Sequence, residues 1–566
     1  MQTLTPEALR ADTIGIDAPI QTPFGERLMV YADFTASGRQ LGFIEDHLRD
    51  LAVLYANAHT EDSTTGRTAT HLLHEAEHAI KRCVGAGPGG KVVCCGSGST
   101  AAIHKLQQIL GIAIPPATLD DLASRLADAR GPEGAKDLIR DLRAIGPVVF
   151  VGPYEHHSNE VTWREALCTV VEVALDCDGQ VCLDDLEANL NDPKWEGRRK
   201  IGSFSAASNV TGVVAPVHEI ARVLRRNDAL ALFDYAAAGP YVDIDMSASG
   251  DDDARLDAVF LSPHKYLGGP GSCGILVFDE ALYRSDLAPT VGGGGTVDYV
   301  SGHGHDFTDD IEARETAGTP GFFQTLRAAY AMEVKDAVGV DAIHAREHAF
   351  AKRALDAWRE IDGIQILGPD DPDVRLGIIS FNVSDASGAL LHPRLVTVLL
   401  DDLFGIQSRA GCSCAGPYGH RLLGIDSETS ERYRACTLSG VHGLKPGWAR
   451  IGFHYTMDDA EADYLIEAVR FLAESGTSFL PFYTFDVDSG AWTHRDGRAE
   501  PLAFGIGALL APRPEAATPL APEARRVRYA EALAYARALA EDLGTSSCEG
   551  KLEGDFADLQ FFALAS

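Results

Sequence analysis

Basic residues are scarce in this chain. Of its 566 residues, 49 are Lys or Arg against 82 Asp or Glu, a formal charge of −33. Such a surplus repels phosphate-rich partners, which argues against nucleic acid and anionic membrane but leaves room for a local basic pocket holding a small anion. Long apolar runs are missing too. No stretch reaches the roughly 18 uncharged apolar residues that a bilayer span requires. The opening "MQTLTPEALRADTIG" has neither the basic start nor the apolar stretch of a secretory leader. Cysteine is limited to 11 residues, and without a leader these read as reduced cytosolic thiols rather than a disulfide framework. No internal repeat is evident. With 45% hydrophobic residues the chain has ample material for large cores, and its length allows about three to four domains. The expectation is an acidic, soluble, cytoplasmic enzyme.

Strands and helices alternate between about residues 90 and 280. "KVVCCGSG" reads as a short buried strand and "STAAIHKLQQILGIAI" as the helix after it. "GPVVFVG", "KIGSFSAAS", "ALALFDYAA", "LDAVFLS" and "SCGILVF" read as further strands, with the helix "VHEIARVLRRN" among them. Apolar strands alternating with helices predict an α/β fold, a mainly parallel sheet covered on both faces. Residues 115–146 look like a charged helical insertion. Past residue 330 a long helix near "GFFQTLRAAYAMEVKDAVG" precedes strands "RLGIISFNV" and "WARIGFHYT" and the amphipathic helix "DDAEADYLIEAVRFLAES", the pattern of a smaller α+β domain. The proline-rich "LLAPRPEAATPLAPEA" then leads into a last helix, "RRVRYAEALAYARALAEDL".

Open α/β sheets bind ligands beyond the carboxyl ends of their strands, so the residues that follow each predicted strand are the candidates for a site. After the first comes "GSGST", where Ser99, Thr100 and the N–H groups of a helix start suit a phosphate. After the second, "YEHHSNE" offers His156, either a ring stacker or an ordinary loop histidine. Asn209 follows the next strand, in "SAASNVTG". Asp234 ends "ALALFD", where a carboxylate is expensive unless it meets a cation. Lys265 follows in "SPHK". Together these form a phosphate cradle, a stacking ring, a buried acid and a lysine at one sheet edge. Pyridoxal 5'-phosphate needs that set, and burial frees a lysine amine as a nucleophile.

Read in order, "GSTAAIH", "EHHSN", "SNVTG", "FDYAAAGPYVDIDM", "LSPHKYLGGPGSCGILVF", "ETAGTPGFFQ", "SRAGCSCAG" and "ARIGFHYT" resemble the class V aminotransferase family of fold-type I pyridoxal-phosphate enzymes. Within it they are most similar to the cysteine desulfurases and selenocysteine lyases. The resemblance spans about residues 28–475 and implies a large domain with a mainly parallel seven-stranded sheet plus a smaller α+β C-terminal domain. It implies that Lys265 carries the cofactor, that Asp234 pairs with the pyridinium nitrogen, and that His156 stacks on the ring. Ser99, Thr100, Ser262 and His264 would hold the phosphate, with Asn209 beside the cofactor. Thr319 would reach the cofactor of a second subunit in a homodimer. Asn209, Arg450, Arg409 and His59 would lie around the substrate. Arg409, Gly411, Cys414 and Ala415 match the family pattern R-x-G-x-x-C-A, in which the cysteine takes sulfur from L-cysteine as a persulfide for an acceptor protein. Cys412 would be a resolving or a second acceptor thiol. The alternative is another class V reaction, such as a selenocysteine or C–S lyase, an epimerase or an aminotransferase, with Cys414 incidental. A zinc site from Cys412, Cys414, His420 and His442 lacks a second tight ligand pair, so no metal is expected.

The chain departs from the family at several points. Ala237 stands where desulfurases carry a glutamine, three residues after the key aspartate. The stretch from Cys414 to Arg450 is long, its opening resembling that of molybdenum-cofactor sulfurases. The expected division is an N-terminal segment to residue 30, a cofactor domain over 31–330, a small domain over 331–480 with a long loop at 416–447, and a partly helical extension over 481–566.

Overall fold

The computed structural model describes residues 4–58, 60–497, 505–509, 518–544, 550–554 and 556–565. Runs such as Val148–Val151 and Ala258–Leu261 are buried at every position, as strands covered on both faces must be. They belong to a seven-stranded sheet built from β1 (Gly90–Cys95), β2 (Val148–Val151), β3 (Thr169–Glu172), β4 (Lys200–Ser205), β5 (Ala229–Asp234), β6 (Ala258–Leu261) and β7 (Gly274–Asp279). The order across the sheet is β1-β7-β6-β5-β4-β2-β3. Only β7 runs against its neighbours. On one face the helix Ser99–Ile109 buries Ala102, Ile103 and Leu106 among Val149, Val151, Phe260, Leu276 and Trp163. The amphipathic helix Val217–Arg226 buries Ile220, Ala221, Val223 and Leu224. The insertion is helical over Pro116–Ile145, broken at Gly131.

This sheet lies in a compact unit of residues 36–209 and 213–342; a second unit gathers 4–35, 210–212 and 343–566. The division therefore differs from the expected boundaries at 30 and 330. Val30–Tyr31 pairs in parallel with Ile406–Gln407, which draws the N-terminal segment into the second unit. At the other boundary, the helix Phe322–Val338 runs straight through residue 330. The second unit's sheet joins β8 (Ile364–Ile366), β9 (Ile378–Val383), β10 (Arg409–Gly411) and β11 (Trp448–Gly452), all antiparallel, in the order β8-β9-β11-β10.

The helix Asp459–Ser475 lies in this unit, and Tyr464 on it stacks on Tyr529 of the terminal helix Pro522–Leu543 with centroids 4.2 Å apart. A buried ion cluster ties the same elements to the start of the chain. Asp17 accepts from Arg10 at 2.9 Å and from Arg525 at 3.2 Å, while Arg10 also meets Glu461 and Arg525 meets Asp458. Residues 416–447, expected as a loop, contain the helices Gly416–Leu422 and Ser427–Leu438. Asp426 caps the second by accepting from the Thr429 amide at 2.8 Å. Among the described residues no helix is long and apolar enough to cross a membrane.

Candidate active site

The first unit's candidate residues stand where its strands end. After β1 the helix Ser99–Ile109 begins at Gly98, whose lack of a side chain leaves the first turn without a side-chain cap. Uncapped N–H groups at the positive end of a helix favour an anion. The Ser99 amide donates to Ser262 Oγ at 2.9 Å, joining this turn to the one after β6. A Cβ on Gly98 would come within 2.9 Å of Ser262 Oγ and 3.5 Å of His264 Nε2. The glycine thus keeps a space open between a helix start, a hydroxyl and an imidazole. Thr100, exposed, shares a 2.6 Å hydrogen bond with Ser158, and the Ser158 amide donates to His156 Nδ1 at 3.1 Å. Accepting at Nδ1 places the neutral ring's proton on Nε2 and links the expected ring stacker to the cradle.

Lys265 ends a single 3₁₀ turn, Pro263–Lys265. The carbonyl of His264 accepts from the Gly38 amide at 2.9 Å and from Ser37 Oγ at 3.2 Å. Behind the turn, a Cβ on Gly269 would sit 1.8 Å from the Pro263 carbonyl oxygen. The glycine-rich "KYLGGPG" therefore lets the chain fold back onto the lysine's own turn. Asp234 closes β5 and is 3% exposed. Burial pushes its carboxyl up, while the Ala236 amide at 2.9 Å, the charge of Lys265 and the Ser99 hydroxyl pull it back. Burial, aided by the charge of Lys265, lowers the His264 imidazole to about 4 and keeps it neutral. An anion cradle, a partly buried lysine and a buried carboxyl whose strongest destabiliser is the lack of water fit pyridoxal phosphate. Its phosphate, aldehyde and protonated ring nitrogen are the complementary groups.

A network below this edge escaped the sequence reading. Glu155 accepts from the Ser205 amide at 2.7 Å, from Ser205 Oγ at 2.6 Å and from Asn159 Nδ2 at 2.7 Å. Asn159 Oδ1 in turn accepts from Trp163 Nε1 at 3.0 Å and Ser203 Oγ at 2.6 Å. Burial raises the Glu155 carboxyl to about 7 against three donors that lower it, with the charge of Asp234 adding a smaller upward push. The available signal was its place beside His156 in "EHHSN".

In the second unit Arg409 and Arg450 are directly opposed across β10 and β11. Arg450 is 3% exposed. Asp33, also missed, accepts from Arg450 Nη2 on one oxygen and from Arg409 Nε on the other, each at 2.9 Å. Beyond β10 the chain turns through Ser413 (φ 48°) and Cys414 (φ 57°), two consecutive non-glycine residues in the left-handed region. Such residues are held at a cost and concentrate at functional turns. The Ala415 amide closes the turn onto the Cys412 carbonyl at 3.0 Å, Ala415 is buried, and Cys414 is exposed.

The aminotransferase class-V pattern matches residues 137–465. The chain belongs to that family. Among similar proteins, a probable cysteine desulfurase of Halalkalibacterium halodurans is 27% identical over 394 residues, 69% of this chain and 84% of that relative. One from Staphylococcus epidermidis is 28% identical over 417 residues, 73% of this chain and 89% of its own length. The apo structure of a cysteine desulfurase from Thermococcus onnurineus NA1 shares the fold with a TM-score of 0.61 at 21% identity, over 79% of this chain and 94% of that one. A cysteine desulfurase of Escherichia coli likewise gives 0.61 at 20% identity, over 82% and 98%.

Within this class-V chain the sequence-derived positions divide by unit. Ser99, Thr100, His156, Asn209, Asp234, Ser262, His264 and Lys265 fall in the first, Asp234 at the end of a strand and the others after strands of the same sheet. Asn209 is buried beyond β4. Thr319 is exposed, on the loop after the short helix Ile311–Glu315. Arg409, Cys412, Cys414 and Arg450 fall in the second unit. His59 lies outside the described residues.

Proposed function

We propose that this protein is a pyridoxal-phosphate-dependent cysteine desulfurase that moves the sulfur of L-cysteine onto Cys414. The observation that carries the reading is the strand-end set of the first unit: Lys265 on its clamped turn, its charge acting on the buried Asp234, beside the cradle of Gly98, Ser262 and His264. The exposed thiol of Cys414 on a turn matching the family pattern supports the reaction type.

When bound, the cofactor supplies an electron sink at the substrate's α-carbon. Lys265 would hold it covalently and, once displaced by the substrate's amino group, would move the α-proton with its Nζ. Ser99, Thr100, Ser262 and His264 would hold the phosphate, and Asp234 the proton of the ring nitrogen. His156, with its proton on Nε2, would cover the ring, and Asn209 would lie beside it. Arg450 and Arg409 would take the substrate carboxylate, which a guanidinium pairs with two parallel donors. The Cys414 thiolate would attack the substrate sulfur: an S–S bond forms, the C–S bond breaks, and the carbon takes a proton to leave as alanine. In sum, one L-cysteine and one thiol give one alanine and one persulfide. A sulfur-acceptor protein would then take the outer sulfur from Cys414, with Cys412 as a second thiol on the same turn. The reading includes a homodimer in which the exposed Thr319 serves the cofactor of the second copy. Reduced thiols suit the cytoplasm.

Ala237, buried at 7% exposure, favours one second reading, because it offers no donor where desulfurases place a glutamine. In that reading a class V lyase, epimerase or aminotransferase reaction runs on another amino acid.

The test mixes cofactor-loaded protein with L-cysteine, assays alanine and weighs the Cys414 peptide. One added sulfur on Cys414 together with alanine is expected, and Cys414→Ser should lose both. Alanine release surviving Cys414→Ser would move the assignment to the second reading.

A further inference from the structure

Two arginines directly opposite each other on an antiparallel pair repel one another, and one of these, Arg450, is withdrawn from water. A buried cation requires a partner. Asp33 supplies it to both, one carboxylate oxygen per guanidinium at 2.9 Å. Its position is fixed from two sides. The Ala32 amide donates to the Gln407 carbonyl at 2.9 Å, and the Gly452 amide donates to the Ala32 carbonyl at 2.7 Å. Ala32, the residue just before Asp33, is therefore bonded to segments neighbouring both arginines. The same segment adds a hydrogen bond from Tyr31 Oη to the Asp33 carbonyl at 3.2 Å. This carboxylate is built into the backbone rather than resting on the surface.

Charge decides the consequence. Counted over these three side chains, two guanidinium groups and one carboxylate leave a single net positive charge, which one carboxylate neutralises. Without Asp33 the pair would carry two positive charges and favour a dianion. We infer that Asp33 is the specificity-determining residue of the arginine pair, setting it to accept one carboxylate and to discriminate against two. The inference rests on the proposed role of Arg409 and Arg450 and goes further in naming what limits the substrate to a monocarboxylate at that end. Asp33 acts through the arginines and is a positioning residue.

The experiment titrates the cofactor-loaded full chain with acetate and with malonate at constant ionic strength, following heat, for wild type and Asp33→Asn. Wild type should bind acetate at least as well as malonate. In Asp33→Asn the malonate-to-acetate affinity ratio should rise about tenfold or more, while Asp33→Glu, which keeps the charge, should hold the wild-type ratio. An unchanged ratio in a folded Asp33→Asn overturns the inference. Arg409→Gln, at an exposed side chain, guards against misfolding of the first variant. It leaves Arg450 and Asp33 neutral together and should lose acetate binding at least tenfold, and wild-type acetate binding there also overturns the inference. A parallel assay of alanine from L-cysteine separates the two levels. No alanine from wild type removes the desulfurase reading, while the titration still decides Asp33.

Discussion

Glu155 and Ser205 are joined twice, through the serine's amide and through its hydroxyl, and Ser205 is the register partner of Asp234 on the next strand. A carboxyl with three donors and, among the described residues, no cation bonded to it is thus linked to the strand beside the one that carries the acid expected to meet the cofactor ring.

Stability should depend on pH through Glu155. Its carboxyl is raised from 4.5 to about 7 in the folded chain, so the folded state binds this proton more tightly than the unfolded one. The contribution is complete below about pH 4.5 and is lost as the pH rises through 7. Cofactor-free wild type should therefore lose up to roughly 3 kcal/mol relative to Glu155→Gln between pH 4.5 and 8. Urea unfolding of both proteins across that range checks it. A constant difference would mean that Glu155 does not titrate there.

Gly98→Ala should release the cofactor. The backbone at Gly98 is extended (φ −179°), so alanine meets no conformational barrier. Its methyl group would enter the space beside Ser262 and His264. Cofactor affinity, followed by the absorbance retained after gel filtration, should fall at least tenfold with the melting temperature of cofactor-free protein little changed. Full retention would place the phosphate elsewhere.

Asp17→Ala should unfold the second unit selectively. The substitution leaves Arg10 and Arg525, both nearly buried, without their shared carboxylate. Removing one partner of a buried ion pair costs about 3–5 kcal/mol. Two-domain chains unfold in separable steps. The transition assigned to the second unit should move to lower urea while that of the first stays in place, read by hydrogen exchange of peptides from each.

Much of the first unit could be read from the chain because its strands are short apolar runs with the chemistry-bearing residue immediately after each. β3 could not. Its four residues are all half-buried at a sheet edge, and "TVVE" is too short to separate from a loop by its pattern alone. The helices within 416–447 are polar and marked chiefly by caps such as Asp426, a weaker signal than apolar periodicity. Asp33 was hidden for another reason. Its partner Arg450 lies 417 positions away, and a lone aspartate between Ala32 and Phe34 carries no local mark of that meeting. Glu155 opens the "EHHSN" stretch, yet its meaning depends on Ser205, 50 positions on. Residues that face a ligand repeat as motifs, whereas residues that hold those residues are known only by what the fold brings to them.

The two units also become available at different times as the chain is made. Residues 36–342 contain nearly all of the first unit, so its sheet, Lys265 and the cradle are complete once the chain has passed Ala342. The second unit needs residues 4–35 from the start and Arg525 from the terminal helix. Its N-terminal part must wait for its long-range partners, among them Ile406–Gln407 and Arg450, through several hundred residues of synthesis. Domains commonly fold as units while they are made, and long-range closure is slow. The order of assembly built into this topology is therefore lysine turn first, arginine pair next, and terminal helix last.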